Sequence, residues 1–167
     1  AALLATIKSR CQRIKLAEPT RAQGKQWLTS VMSSEVDVDE LLDLTNDQPI
    51  KALNYYAGGE LEQIQKIKSG LDQLAVGRNS ALALANAWAR WPSILVVDGI
   101  YYWSVNWMKS SMLNQTGNTR ARQGMQKLVE QILQRRRNLL VGNNPNVQLL
   151  LEALILDLSK VLTIARG

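Results

Sequence analysis

Residues 92 to 113 are the stretch that most constrains the fold. Ile94, Leu95, Val96, Val97, Ile100, Tyr101, Tyr102, Trp103, Val105, Trp107 and Met108 make it apolar on almost every side of a helix. A helix of that kind either crosses a membrane or lies inside a protein. Asp98 near its middle, Asn106, Lys109 and the flanking serines make insertion into lipid costly, and no second segment like it occurs. The stretch therefore reads as a buried helix of a bundle. Trp88, Trp91, Trp103 and Trp107 are assigned to packing rather than to base stacking, since large aromatics on helices usually fill cores or interfaces.

The segments around it repeat the helical signal. Four helices are expected in this second unit, at about 79 to 91, 92 to 114, 119 to 141 and 145 to 165, with Pro92 and Pro145 at helix starts and Gly117, Gly142 and Asn143-Asn144 as breaks. The last carries Leu149, Leu150, Leu151, Leu154, Ile155, Leu156 and Leu158 on more than one face, which predicts a partner beyond its own bundle. Upstream, Pro19 fits the first position of a helix reaching about Ser34, with Trp27, Leu28, Val31 and Met32 inward and Gly24 weakening it. Asp37 with Glu40 resembles a capping box for a short helix burying Leu41, Leu42 and Leu44. Pro49 opens another, with Ile50, Ala52, Leu53 and Tyr56 buried, which Gly58-Gly59 ends. Glu60 to Leu74 places Leu61, Ile64, Ile67, Leu71 and Leu74 on one face. Val76-Gly77-Arg78-Asn79 then reads as a boundary with hinge motion.

Charge is unevenly spread along a chain of net charge +6. Glu35, Asp37, Asp39, Glu40, Asp43 and Asp47 form an acidic run without a base, whereas Arg120, Arg122, Lys127, Arg135, Arg136 and Arg137 face only Glu130. Such a dipole suggests separate surfaces for separate partners. One cysteine excludes an internal disulfide and points to a reducing, cytoplasmic setting. With no histidine and a single cysteine, zinc sites built on those residues and histidine general-base catalysis are excluded.

The amino end stands apart. Lys8, Arg10, Arg13 and Lys15 lie in the first fifteen residues without an acid, around the triplet Ser9-Arg10-Cys11. Gln12 to Leu16 alternates polar and apolar like a half-buried strand. A lone strand needs a sheet from elsewhere, so these residues are expected to be the C-terminal part of something longer. A phosphate-binding Gly-x-x-x-x-Gly-Lys-Ser/Thr loop does not occur in the sequence.

The run Leu3-Leu4-Ala5-Thr6-Ile7-Lys8-Ser9-Arg10-Cys11-Gln12 resembles the end of the ATPase domain in clamp-loader subunits, a family of AAA+ proteins that serves bacterial DNA polymerase III in DNA replication. The resemblance is specific over residues 3 to 16 and general beyond Pro19. It implies an all-α chain in three parts. Residues 1–17 would be a remnant of an α/β AAA+ domain, 18–76 a helical lid and 77–167 a helical-bundle collar that joins subunits. It implies that Ser9, Arg10 and Cys11 form a trans arginine finger, with Arg10 reaching the nucleotide of a neighbour. A guanidinium is always charged and its planar fork matches phosphate oxygens. ATP-hydrolysing members carry a sensing arginine at the start of the helix opened here by Pro49, where this chain has Ile50 with Lys51 beside it. That departure favours a subunit that does not hydrolyse ATP over the gamma/tau type. The implied partners are gamma/tau and delta subunits through the collar, and the sliding clamp and primed DNA through the complex. No cofactor, metal, membrane or small-molecule substrate is implied.

Two other readings stand beside this one. Arg120, Arg122, Lys127 and Arg135 to Arg137 could serve a helical nucleic-acid-binding adaptor by neutralising phosphates, although cations near a helix C-terminus are also favoured by the helix dipole. The helix-turn-helix spacing around Pro49 offers only Lys51 as a base for DNA reading. A stand-alone enzyme has the least support: no nucleophile and base can be paired, and only Asp98, Glu152 and Asp157 offer carboxylates in the apolar helices.

Overall fold

A computed structural model describes residues 10, 14, 17–33, 36–113, 119–142 and 146–166, and all structural statements refer to these. Among them every regular element is a helix. The expected strand at Gln12 to Leu16 and the AAA+ remnant lie almost wholly outside the described residues. Ile14 is non-helical and exposed.

Helix α1 spans Arg21–Val31 and begins two residues later than proline placement suggests. Thr20 is its cap: the hydroxyl accepts the Gln23 N–H at 3.3 Å, and the Gln23 side chain accepts the Thr20 N–H at 2.9 Å. This reciprocal pair satisfies donors that a helix start leaves orphaned. The buried line of α1 runs Gly24, Leu28, Met32, four residues apart. Trp27 and Val31, expected inside, sit one position off that line and are 40% and 48% exposed.

Helix α2, Val38–Leu44, is capped by Asp37, which accepts the N–H groups of Asp39 and Glu40. Glu40 is turned away from the cap. Its carboxylate accepts from Gln65 at 3.1 Å and lies 3.6 Å from Lys68. Leu41, Leu42 and Leu44 are buried as expected. A left-handed turn at Asn46 and Asp47 leads to α3, Pro49–Ala57, with the proline at its first position. Ala52 and Tyr55 are its buried residues, while Ile50, expected inside, is 70% exposed.

Helix α4, Leu61–Ala75, buries Ile64, Ile67, Leu71 and Leu74, the face that its spacing predicts. Gly77 follows at φ +75°, where the Arg166 guanidinium covers it. The bundle is completed by α5 (Ala81–Trp88), α6 (Ser93–Leu113), α7 (Thr119–Leu140) and α8 (Val147–Arg166). Pro92 immediately precedes α6, and Pro145 lies outside the described residues.

Helix α6 is central, packed against α2, α4 and α7, which explains its apolarity on all sides. Helix α8 packs against α4, α5 and α7. Most of its apolar surface is therefore consumed by its own bundle, with only Leu149 and Leu156 exposed among its large apolar residues. The partner inferred from its composition rests on much less surface than the sequence suggests.

Two hydrophobic clusters result. The smaller joins Leu28, Met32, Val38, Leu41, Leu42 and Ala52 of α1 to α3. The larger holds the inward faces of α4 to α8 and draws in Leu44 and Tyr55. Packing thus groups α4 with the bundle, whereas the sequence pattern groups it with the first unit. Close approach explains this: a Cβ on Gly99 of α6 would lie 2.9 Å from Ile67, and one on Gly70 of α4 would lie 2.8 Å from Trp88 of α5. No helix is long and apolar enough to cross a membrane among the described residues.

Candidate functional site

The seam between the three-helix unit and the bundle gathers the chain's buried charge. Asp98, from the middle of α6, is 4% exposed. Arg136 of α7 donates from Nε to its Oδ1 at 2.5 Å and from Nη2 to Oδ2 at 3.5 Å. Lys51 of α3 donates to Oδ2 from the other side. A buried carboxylate is sustained only when paired and hydrogen-bonded, and here two cations from two other helices meet that need. The bond that Arg136 donates to Asp98 holds the guanidinium proton, raising its pKa above the ordinary arginine value.

Aromatic rings enclose the triad. The Lys51 ammonium lies 5.0 Å from the Tyr102 ring centre and 5.5 Å from that of Tyr55, within the range of cation–π attraction. The Tyr102 hydroxyl donates to the Gln48 side chain at 3.2 Å, and Asn106 donates to the Asp43 carbonyl at 2.6 Å. Lys109 donates to Asn46 along the same line. Polar bonds thus fasten α2, α3 and the turn between them to one side of α6.

Asp39, Asp43 and Asp47 of the acidic run are paired within the small unit although they stay at its surface. Arg21 of α1 binds Asp43 at 2.8 Å and Asp47 at 2.5 Å, with Asp39 at 3.6 Å. Lys25 bonds Asp39 and holds its carboxyl below the usual aspartate range. Asp39, Asp43 and Asp47 thus brace the small unit through Arg21 and Lys25 while staying exposed. Asp98, Glu152 and Asp157, weighed above as possible catalytic partners, have separate partners: Glu152 accepts from Gln148 at 3.0 Å and Asp157 from Lys160 at 2.8 Å.

Of the expected site residues, Arg10 has helical backbone and is exposed, while Ser9 and Cys11 lie outside the described residues. The basic residues of α7 divide. Arg120, Lys127 and Arg137 are exposed, Arg122 and Arg135 are half-buried, and Arg136 is committed to Asp98 and unavailable to phosphate. At the start of α3, Ile50 and Lys51 line an open cleft of about 850 Å³ with Pro49 and Tyr55. Lys51 points its charge at Asp98. The triad itself escapes sequence reasoning because Lys51, Asp98 and Arg136 are far apart in the chain. The one signal is a carboxylate in the middle of an otherwise apolar helix.

No protein-family profile matches the chain, and no solved structure does. Among curated proteins, DNA polymerase III subunit delta' of Pseudomonas aeruginosa aligns with it over 172 residues at 26% identity, covering 93% of this chain and 52% of the relative. The chain therefore spans about half the length of the relative it matches. Over 93% of its length, the chain is similar in sequence to a delta' subunit of DNA polymerase III.

Proposed function

We propose that the chain is part of a clamp-loader subunit of the delta-prime type, which works in DNA replication without hydrolysing ATP itself. The observation that carries this reading is the similarity to a delta' subunit along 93% of the chain. In this role Arg10, with Ser9 and Cys11 around it, stabilises charge on the nucleotide of a neighbouring gamma/tau subunit, as a trans arginine does in phosphoryl transfer. Residues 18–76 serve as lid and 77–167 as collar, through which gamma/tau and delta subunits assemble. The complex then opens the sliding clamp and loads it on primed DNA in the cytoplasm. The commitment of Lys51 to Asp98, next to Ile50, supports a lid without a cation for sensing nucleotide.

Arg10→Ala in the reconstituted complex is expected to depress ATP hydrolysis while leaving the melting temperature of this chain unchanged. Equal hydrolysis by mutant and wild type removes the finger from the reading. Size-exclusion chromatography of this chain with gamma/tau collar domains tests the assembly, and separate elution removes that part.

A further inference from the structure

A cleft of about 250 Å³ opens between the end of α2, α4 and α6. Leu44, Ile64 and Gly99 form an apolar floor, and Trp103 and Trp107, one turn apart on α6, supply two indole walls. Three charged residues line the mouth: Asp43, Lys68 and Asp72. Two of them are already engaged, Asp43 by Arg21 at 2.8 Å and Lys68 by Glu40 at 3.6 Å. Asp72 is different. It accepts the Trp103 Nε1–H at 2.8 Å, and no base among the described residues is ion-paired with it. A carboxylate is thus fixed at the edge of an indole without an ion-pair partner among the described residues. Lys68 and Asp72 also line a shallower trough continuing along α4 to Val76 and Arg78, so the cleft gives onto a surface that extended chain can follow.

We propose that this cleft docks an arginine side chain carried on an extended segment of a partner protein. A guanidinium is a flat cation that stacks on aromatic faces and matches a carboxylate with its planar fork. Its methylene stem covers apolar surface while the charge stays at the mouth, which is the arrangement of floor, walls and Asp72 here. An acidic side chain meets Asp72 with like charge, and a neutral one gives it no ion pair. Nothing in this inference depends on Arg10 or on the clamp-loader reading.

The test uses the whole chain, with indole N–H signals of Trp103 and Trp107 assigned by Trp→Phe substitution, titrated with three blocked tripeptides: Ala-Arg-Ala, the same with citrulline, and the same with glutamate. The arginine peptide is expected to shift both indole signals and to bind about fivefold tighter than the citrulline peptide, the ratio that one exposed charge pair supports. Asp72→Asn, at an exposed position, should level the two peptides without moving the melting temperature. Equal affinities in the wild type, preference for glutamate, shifts confined to other tryptophans, no binding of any peptide, or an arginine preference that survives Asp72→Asn each overturn the proposal.

Discussion

Replacing Asp98 by asparagine tests whether the seam is held by charge. The carboxylate side chain is 6% exposed, against 20% for Lys51 and 33% for Arg136. Its removal leaves two cations facing each other in a partly buried space. Breaking a buried ion pair from one side costs about 3–5 kcal/mol, and because Arg136 has room to turn toward water the lower end, about 3 kcal/mol, is expected. For a chain of this size that corresponds to a fall in Tm of roughly 6–12 °C. Lys51→Met and Arg136→Met should each cost less, about 1–3 kcal/mol, since either leaves Asp98 one charged partner. The double replacement strands a bare carboxylate, so its cost should exceed the sum of the singles by at least about 1 kcal/mol. Adding Asp98→Leu to that pair should recover most of the loss, because a buried ion cluster exchanged for apolar groups is often neutral. Urea denaturation followed by circular dichroism reads all of these. An Asp98→Asn cost under about 0.5 kcal/mol, or additive Lys51 and Arg136 effects within about 0.5 kcal/mol, would refute the reasoning.

Other positions give predictions of definite sign. The Tyr55 hydroxyl is buried with no hydrogen-bond partner among the described residues, so Tyr55→Phe should raise stability at neutral pH by about 1 kcal/mol, because an unsatisfied buried polar group is removed. Burial also pushes the Tyr55 phenol above its ordinary value of 10.0. The unfolded chain therefore releases this proton first, and the stability present below pH 10 is lost as pH rises, at up to about 1.4 kcal/mol per pH unit; Tyr55→Phe should flatten this alkaline limb in denaturation titrations. Two glycines should respond oppositely in the same assay. A Cβ on Gly24 would lie 3.4 Å from the Pro49 ring, an ordinary contact, so Gly24→Ala should stabilise by up to about 1 kcal/mol through helix propensity. A Cβ on Gly70 would lie 2.8 Å from Trp88 and 2.9 Å from Leu84, so Gly70→Ala should cost about 1–3 kcal/mol through overpacking.

What could be read from the sequence follows from how local each determinant is. Helices α4 and α8 are legible because their apolar pattern extends over fifteen or more residues, and α6 because apolar side chains cover nearly every side of it. The end of α3 is legible because a Gly-Gly pair disfavours continuation, and Gly59 takes the left-handed conformation at φ +71°. Trp27, Val31 and Ile50 are misread for one reason: in helices of nine to eleven residues, a shift of one position moves an apolar residue from the buried line to the rim, and only the neighbour decides which line is buried. Tyr55 is missed because its burial comes from the bundle and not from its own helix. Arg136 is misassigned because a basic triplet on an amphipathic helix reads as a solvated face, while one member reaches a carboxylate thirty-eight residues away. The Ser9-Arg10-Cys11 motif is legible only by resemblance, since by composition alone it is a basic segment like any solvated tail.

The packing carries one consequence for the independence of the two units. Among the described residues, the apolar core of α1 to α3 consists of the buried Leu28, Met32, Val38, Leu41, Leu42 and Ala52, and Leu44 and Tyr55 of the same unit are spent on the larger core. A piece of about 40 residues buries too little surface to fold without help, and its help comes from Lys51 on Asp98, Gln48 on Tyr102 and Asp43 on Asn106. Residues 18–59 alone should therefore lack cooperative helical unfolding, whereas residues 60–166 should retain it at reduced stability, because Asp98 still has Arg136. Mixing the two pieces should restore helicity in the first, and Asp98→Asn in the second should abolish that rescue. Cooperative melting of residues 18–59 by themselves would show that the small unit is self-sufficient, and the seam would then be a contact between two finished domains.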